Sequence, residues 1–547
     1  MTKVVGEVRV RVGGWSARTA WLIFVACLAV SLVVAAMAAL NTALPDIALD
    51  IHATSAQMTW IIDGYTLILA ALLLPAGAVG DRFGRRGILM AGLVIFGAAS
   101  LAAIWVETPG ELIATRFAAG IGAALIMPTT LSLITAGVPR EQRAIGVSIW
   151  AAVAGVGAIM GFFVTGVLLQ FFSWHSVFIT FAVAAVATLL LAFTIGTSQD
   201  DDPGPFDFIG SATSVLAVTG VVFGLLEAPT RGWTDPLILI GLIGGVALGA
   251  AFVLIELRRR SPLLDVRLFR NRAFASGSLS VALQFFASFG IFYLILLLLQ
   301  LVYGYSPLKS AFALIPMVAG VGVFALLGNW VAVRFDSLRL VLTVGIAVAG
   351  AGTLAIGIVD PDTYWKLAIM LGVLAVGIGL ATAPSTTAIM TNTPLENQGV
   401  GSAVNDTARE LGAAIGIGLA GSLMAAGYEN RIGATAEAAR DQLAAFGDPA
   451  GADQAADGIQ RSLAGAVEVS RQLPPQAAEL AQFIRDGAEN AFVPPLQQAC
   501  LVLGSVLIAG AVFLGWFAPR QVIDPATLPA PAPGDSDDAA VPGAGNG

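Results

Sequence analysis

Charge is what this 547-residue sequence has least of: Asp, Glu, Lys and Arg together make up 12% of it, against 57% for the hydrophobic types. An ordinary soluble domain carries about twice that charge fraction, so a string of water-exposed globular domains is excluded. Histidine occurs twice, at His52 and His175, and cysteine twice, at Cys27 and Cys500, both within apolar runs. Without a CxxC pair or a His cluster, no metal site is expected, and the cysteines read as small packing residues. There is no Walker-type glycine loop, which excludes ATP drive on this chain, no Ser-His-Asp constellation and no basic stripe for nucleic acid. An enzyme is the least favoured class, and neither a cofactor nor a nucleic-acid partner is expected. The net charge of −8 carries no partner signal. Nearly half of the acid, 17 of 36 residues, sits in Asp200-Asp201-Asp202, in the 428–491 segment and in the C-terminal tail.

What the sequence does have is long apolar runs, recurring from Trp21 to Phe517. A membrane-crossing helix needs about 20 mostly apolar residues. On that measure spans are expected near 20–45, 57–79, 88–106, 111–136, 144–171, 176–195, 208–227, 236–256, 274–301, 310–333, 340–359, 365–390, 400–426 and 494–517. The fold class is therefore an all-α integral membrane protein with about 14 spans, and the bilayer is its first partner. The first run, about 24 residues, is too long for a signal-peptide core and reads as a span. The 62 glycines suit helices that pack in lipid by close approach of small residues.

An even number of spans puts both ends on one side, and the positive-inside rule selects which. With the N-terminus in the cytoplasm, the inner segments hold 18 basic residues and the outer ones 8, five of which lie in the long 428–491 segment, where they count weakly. Both termini are expected in the cytoplasm. The chain divides into an N-terminal segment 1–19, a bundle over 20–195, a linker with two inserted spans over 196–273, and a second bundle over 274–517. The second bundle includes the external segment 428–491, expected to form a partly helical cap. A disordered tail over 518–547, rich in Pro, Ala, Asp and Gly, follows.

The sharpest motif is Gly77-Ala78-Val79-Gly80-Asp81-Arg82-Phe83-Gly84-Arg85-Arg86 at the end of span 2. A plain positive-inside turn needs its arginines but not Gly77, Gly80 and Gly84 or Asp81. The glycines permit a tight turn and a close helix neighbour, and Asp81 can pair with an arginine or cap a helix end. Together with Arg82, Arg85 and Arg86 it reads as a charged latch that breaks and re-forms when two bundles rock.

This turn resembles the signature of the major facilitator superfamily, and within it the chain is similar to the fourteen-helix drug:proton antiporters. Further matches are Asn41-Thr42-Ala43-Leu44-Pro45, Trp60-Ile61-Ile62-Asp63-Gly64-Tyr65, Arg116 with Gly120, Gly122 and Pro128, and Gly304-Tyr305-Ser306-Pro307 with Pro316. Asn405-Asp406-Thr407-Ala408-Arg409-Glu410-Leu411-Gly412 completes the set. The resemblance covers roughly 20–427 and 494–517. It implies the major facilitator fold, two six-helix halves plus two inserted helices, in the cytoplasmic membrane of a bacterium. It also implies efflux of a small hydrophobic or cationic solute by a monomer that exchanges it for protons, with the proton gradient as the driving force.

Intramembrane charge costs about 2.5–3.5 kcal/mol per residue at a helix centre on insertion scales, so such residues face a cavity or a partner. Asp63 and Arg116 fall at similar depth on spans 2 and 4, which makes a proton-sensitive pair or a static one. Glu410, with Asp406 and Arg409 on neighbouring positions of span 13, is a carboxylate for substrate or proton, or one member of a salt-bridge cluster. Polar residues on otherwise apolar spans, Asn41, Tyr65, Gln284, Tyr293, Gln300 and Asn405, line a cavity or bond between helices. Two departures from the family pattern bear on coupling. Ala36 stands where span 1 usually carries an aspartate. In the helix-packing signature of span 5, Gly157, Gly161 and Gly166 are kept, but Phe162 replaces a proline. Proton-coupled export leads; a facilitator or symporter, and a receptor or scaffold on the same fold, are the rivals.

Overall fold

The computed structural model describes residues 16–196, 198, 205–444 and 449–521; residues 1–15 of the N-terminal segment and 522–547 of the tail lie outside that range. The start of the expected tail is held in place, the Ala518 carbonyl accepting from Arg339 Nε and the Arg520 carbonyl from the Leu338 N–H. Fourteen of the described helices are long and apolar enough to cross a bilayer. They run α1 (Ala17–Asp50), α2 (Ser55–Phe83), α3 (Arg85–Ala102), α4 (Pro109–Gly137), α5 (Arg140–Phe171) and α6 (His175–Ala192). Then come α7 (Phe208–Arg231), α8 (Pro236–Glu256), α9 (Arg272–Leu297), α10 (Pro307–Phe335), α11 (Leu338–Ile358) and α12 (Tyr364–Thr391). The last two of the fourteen are α13 (Gln398–Ala444) and α16 (Ala478–Phe517), with the short α14 (Pro449–Arg461) and α15 (Leu463–Gln472), too short to cross, between them. The face at which α1 begins is called the first face below, and the opposite one the second.

Local chemistry sets the helix starts. Thr54 and Thr108 close capping boxes with Gln57 and Glu111, which satisfies amide donors left over at a helix N-terminus. Pro109, Pro236 and Pro307 occupy first-turn positions, where a missing N–H costs nothing.

Two apolar cores result. One is built mainly from α1 to α6, with Trp150, Phe96 and Leu73 among its fully buried members. The other is built from α9 to α13 and α16, with Leu294, Ile346, Leu374 and Leu503 at its centre. Helices α7 and α8 pair through glycines: a Cβ on Gly220 would meet the Gly241 carbonyl, and one on Gly245 the Ala217 carbonyl. Ile240, Ile243 and Val246 of α8 are more than 60% exposed, as expected of a helix whose outer surface meets hydrocarbon rather than water. Cys27 and Cys500 are both buried and unbridged.

The second core does not stop at the membrane. At 47 residues α13 spans about 70 Å, and the 40-residue α16 about 60 Å, at 1.5 Å per residue. Both exceed the roughly 30 Å hydrocarbon layer. They project together beyond the second face, where α14 and α15 cover them. Ile432, Ala439, Ile459, Leu463 and Ile484 extend the bundle core into this projection without a break. The expected span ends at 426 and 494 thus fall inside continuous helices, and Pro494-Pro495 is accommodated within α16.

Candidate functional site

The glycine turn after α2 lies at the first face and joins the two halves. Asp81 Oδ1 accepts hydrogen bonds from Arg85 Nε (2.9 Å), Arg85 Nη2 (2.6 Å) and the backbone N–H of Gly399 (2.8 Å), and Oδ2 accepts one from the Val400 N–H (3.1 Å). Gly399 and Val400 are in the first turn of α13, whose amides have no partner within their own helix and carry the positive end of its dipole. Arg85 continues across the interface to the carbonyls of Leu395 (3.1 Å) and Glu396 (3.4 Å), and bonds Ser198 Oγ (2.9 Å). Arg86 binds the Ile195 carbonyl, and the Arg82 guanidinium lies over Phe83. The glycines have separate jobs. A Cβ on Gly77 would run into the Gly399 carbonyl, Gly80 backs onto Thr129, and Gly84 adopts φ +96°, which side-chain-bearing residues avoid. Gly399 and its neighbours were not legible as latch partners, since they stand more than 300 residues away.

Asp63 and Arg116 do not pair. Equal depth brought them to one level, but their side chains leave their helices in different directions. Arg116 is buried and donates from Nε to the Ile61 carbonyl (3.1 Å) and from Nη2 to the Ala36 carbonyl (3.3 Å), with the Tyr65 ring 4.3 Å beneath its guanidinium. Where Ala36 supplies no carboxylate, its backbone oxygen takes the guanidinium instead. Tyr65 is fully buried and donates its own hydroxyl to the Val33 carbonyl. It therefore supports Arg116 and does not line an open cavity. Asp63 has no hydrogen-bond or salt-bridge partner among the described residues, and the charged side chain whose field reaches it is Glu227 of α7. Glu227 is ion-paired to Arg231 at 2.8 Å. One turn away, Trp60 of α2 stacks on Phe223 of α7 at 5.9 Å.

A second charged group lies at mid-depth on α13. Asp406, Arg409 and Glu410 are buried, and Asp406 Oδ2, Arg409 Nη1 and Glu410 Oε2 lack hydrogen-bond partners. Arg409 Nη1 stands 3.6 Å from Asp406 Oδ1, an ion pair without a hydrogen bond. Asn405 donates to Asp406 Oδ1 and accepts from Thr386. The guanidinium of Arg409 sits 4.4 Å from the Phe285 ring centroid and 5.1 Å from that of Trp150. Trp150 belongs to α5 and donates its indole N–H to Thr130, so the cluster straddles both halves. The two rings had no motif to announce them; an indole midway along α5 was the one available hint.

The remaining sequence candidates divide. Gln284 bonds Ser280, Ser385 and Thr382, a closed network tying α9 to α12 rather than a free amide in a cavity. Tyr293 is 38% exposed and lies near Gly421 of α13. Gln300 falls on a π-helical turn over Leu298–Val302. Asn41 is on α1, and its side chain lies outside the described residues. Gly157 and Gly161 let α5 close on the α1 backbone at Ser31 and Ala35, whereas Gly166 faces Leu308 of α10 in the other half. Phe162, in the proline's place, meets Phe292 at 5.4 Å, and Phe163 meets Phe312 at 5.6 Å. The halves thus touch near the second face as well as at the latch. No group of three or more metal-ligating side chains occurs among the described residues.

Two packed halves, a polar latch at one face and buried charge at mid-depth define a helical membrane transporter. The chain belongs to the major facilitator superfamily, whose family model matches residues 26–417. It is 31% identical over 505 residues to the methyl viologen resistance protein SmvA of Salmonella typhimurium, covering 91% of this chain and 98% of that one. It is likewise 31% identical over 485 residues to the multidrug efflux pump LfrA of Mycolicibacterium smegmatis, with 86% and 91% covered. Among solved structures, the proton:xylose symporter XylE shares the fold at a TM-score of 0.58 and 14% identity, covering 92% of this chain and 97% of that one. A bacterial homologue of the lysosomal transporter Spinster does so at 0.55 and 17%, with 92% and 98% covered.

Proposed function

We propose that this protein exports lipophilic organic cations in exchange for protons, by alternating access between its two halves in the cytoplasmic membrane, with the first face in the cytoplasm. The observation that carries the reading is the pair of buried carboxylates on α13, Asp406 and Glu410, each with an oxygen lacking a hydrogen-bond partner at the junction of the halves. A buried carboxylate without sufficient partners is costly when ionised, so it takes up either a proton or a cation. That competition is what an exchanger needs. The latch at Asp81 closes the first face in this arrangement and must open for the solute to enter from there. The names of relatives support the solute class: methyl viologen, which one of them resists, is a planar aromatic dication. Each proton moving inward gains about 2.3 kcal/mol per 100 mV. Asp63, the unpaired carboxylate on α2, is a further candidate for the proton route. Every group in the site comes from one chain, so the monomer is the proposed transporting unit.

Inverted vesicles under an imposed pH gradient test this with ethidium as the probe. Accumulation is expected to follow the gradient and to fall at least tenfold in Glu410→Gln. Uptake that ignores the gradient in the wild type would turn the protein into a facilitator; unchanged coupling in Glu410→Gln, Asp406→Asn and Asp63→Asn would remove these carboxylates from the mechanism.

A further inference from the structure

Among the described residues three guanidiniums are buried, and they are not held alike. Arg85 makes two hydrogen bonds to Asp81, two to backbone carbonyls and one to Ser198. Arg116 is fixed by two carbonyls and lies over Tyr65. Arg409 differs from both. Its Nη1 has no hydrogen bond, its contact with Asp406 is 3.6 Å long, and its guanidinium lies over two aromatic rings, 4.4 Å from the Phe285 centroid and 5.1 Å from that of Trp150. Two carboxylate oxygens next to it, Asp406 Oδ2 and Glu410 Oε2, are also without hydrogen-bond partners although their residues are no more than 4% exposed.

An aromatic pair with two adjacent carboxylates is how a protein recognises a delocalised organic cation: ring faces attract the charge and acids balance it. Arg409 itself is such a cation, planar and weakly hydrated. We propose that Arg409 is an internal stand-in for the transported cation, and that the solute displaces it from the Trp150 and Phe285 rings to take over Asp406 and Glu410. The inference rests on the export reading above and names its recognition site. Trp150 and Phe285 are thereby binding residues, one from each half. The placement fits transport. Arg409 is eleven residues from the start of α13, about 17 Å from it, and Trp150 ten residues from the start of α5, about 15 Å. Both helices rise from the first face, so the site lies at mid-depth. Because the rings belong to opposite halves, parting the halves takes one wall away from the cation. In the empty site, Arg409 balances carboxylates that would otherwise repel each other.

Equilibrium binding of tetraphenylphosphonium to the purified full chain tests this, with neutral triphenylphosphine oxide as the control ligand. Removing the competitor in Arg409→Gln is expected to tighten tetraphenylphosphonium binding roughly tenfold, about 1.4 kcal/mol. Trp150→Ala is expected to weaken it roughly fivefold or more, and Trp150→Phe to restore most of the loss, since the remaining ring face still attracts the cation. Arg409→Lys, which keeps charge but stacks poorly, gives a smaller gain and serves where Arg409→Gln does not fold. The neutral control is expected to be unmoved by all four. Weaker cation binding in both Arg409 variants, or cation affinity unchanged in Trp150→Ala, overturns the inference. Those results leave export itself standing, whereas wild-type flux that ignores the proton gradient sinks the coupled reading and leaves this site intact.

Discussion

At the scale of single residues, the charges differ in what their removal exposes. Asp81 gathers one guanidinium and two helix-start amides at a position only 5% exposed. Asp81→Ala strands Arg85 in a dry place, and breaking a buried pair from one side costs about 3–5 kcal/mol. We expect that variant to lose the joined first face, read as labelling of a cysteine placed at Ala403, which is buried beside Gly77: slow in the wild type and fast in the variant. Gly84→Ala is expected to cost about 1–3 kcal/mol through its positive φ alone, measured as a lowered melting temperature in detergent. The arginine-rich turn was legible because its glycines and aspartate stand together in the sequence. Its receptor was not, since a backbone amide carries no residue-type signature. Arg116 shows the matching failure: depth is readable from spacing, but the direction in which a side chain leaves its helix depends on how α4 is rotated against α1 and α2.

Between elements, the contacts that matter are backbone against backbone. A Cβ on Gly412 would collide with the Ala282 carbonyl of α9, and one on Gly416 with that of Phe286. Ile415, on the same helix, is 43% exposed and points outward. Gly412→Val is therefore expected to abolish folded yield, while Ile415→Ala stays within about 0.5 kcal/mol of the wild type; size-exclusion profiles of the two variants separate the cases. The same logic governs α7. It lies against α2 through Trp60 and Phe223 and against α13 through Gly418, whose missing Cβ makes room for the Leu225 carbonyl. One inserted helix thus touches both halves. Hydropathy located it, but could not say that its Glu227 would come within electrostatic reach of Asp63. The apolar run began near 494, yet Pro494-Pro495 lies inside α16, where Gly427 of α13 packs against Pro495.

Taken whole, the molecule is two cores of unequal reach. The number of crossings was plain from the apolar runs, and fourteen helices meet the length and composition for it. The continuity of the 428–491 segment with the second bundle was hidden, because Ala-rich, moderately polar helices carry no hydropathy peak where they leave lipid. A core shared without a break predicts that projection and second bundle move as one body. Spin labels at Asp441 and Asp360, both exposed and both on the second half, are expected to keep one distance when substrate and pH are varied. Labels at Asp441 and Glu107, on opposite halves, are expected to change theirs. Equal changes in both pairs would mean that the projection swings independently.

That rigidity turns α13 into a pointer. From Gly427 to Ala444 it extends about 25 Å at 1.5 Å per residue, and the same rod carries Asp406, Arg409 and Glu410 lower down. Each degree by which the rod tilts about its base displaces its tip by roughly 0.4 Å over that arm. Whatever happens around a buried guanidinium is therefore written, magnified, on a surface that an antibody fragment or a neighbouring protein can grip. A binder that clamps the tip would stall the machine from a distance, without ever entering the pore.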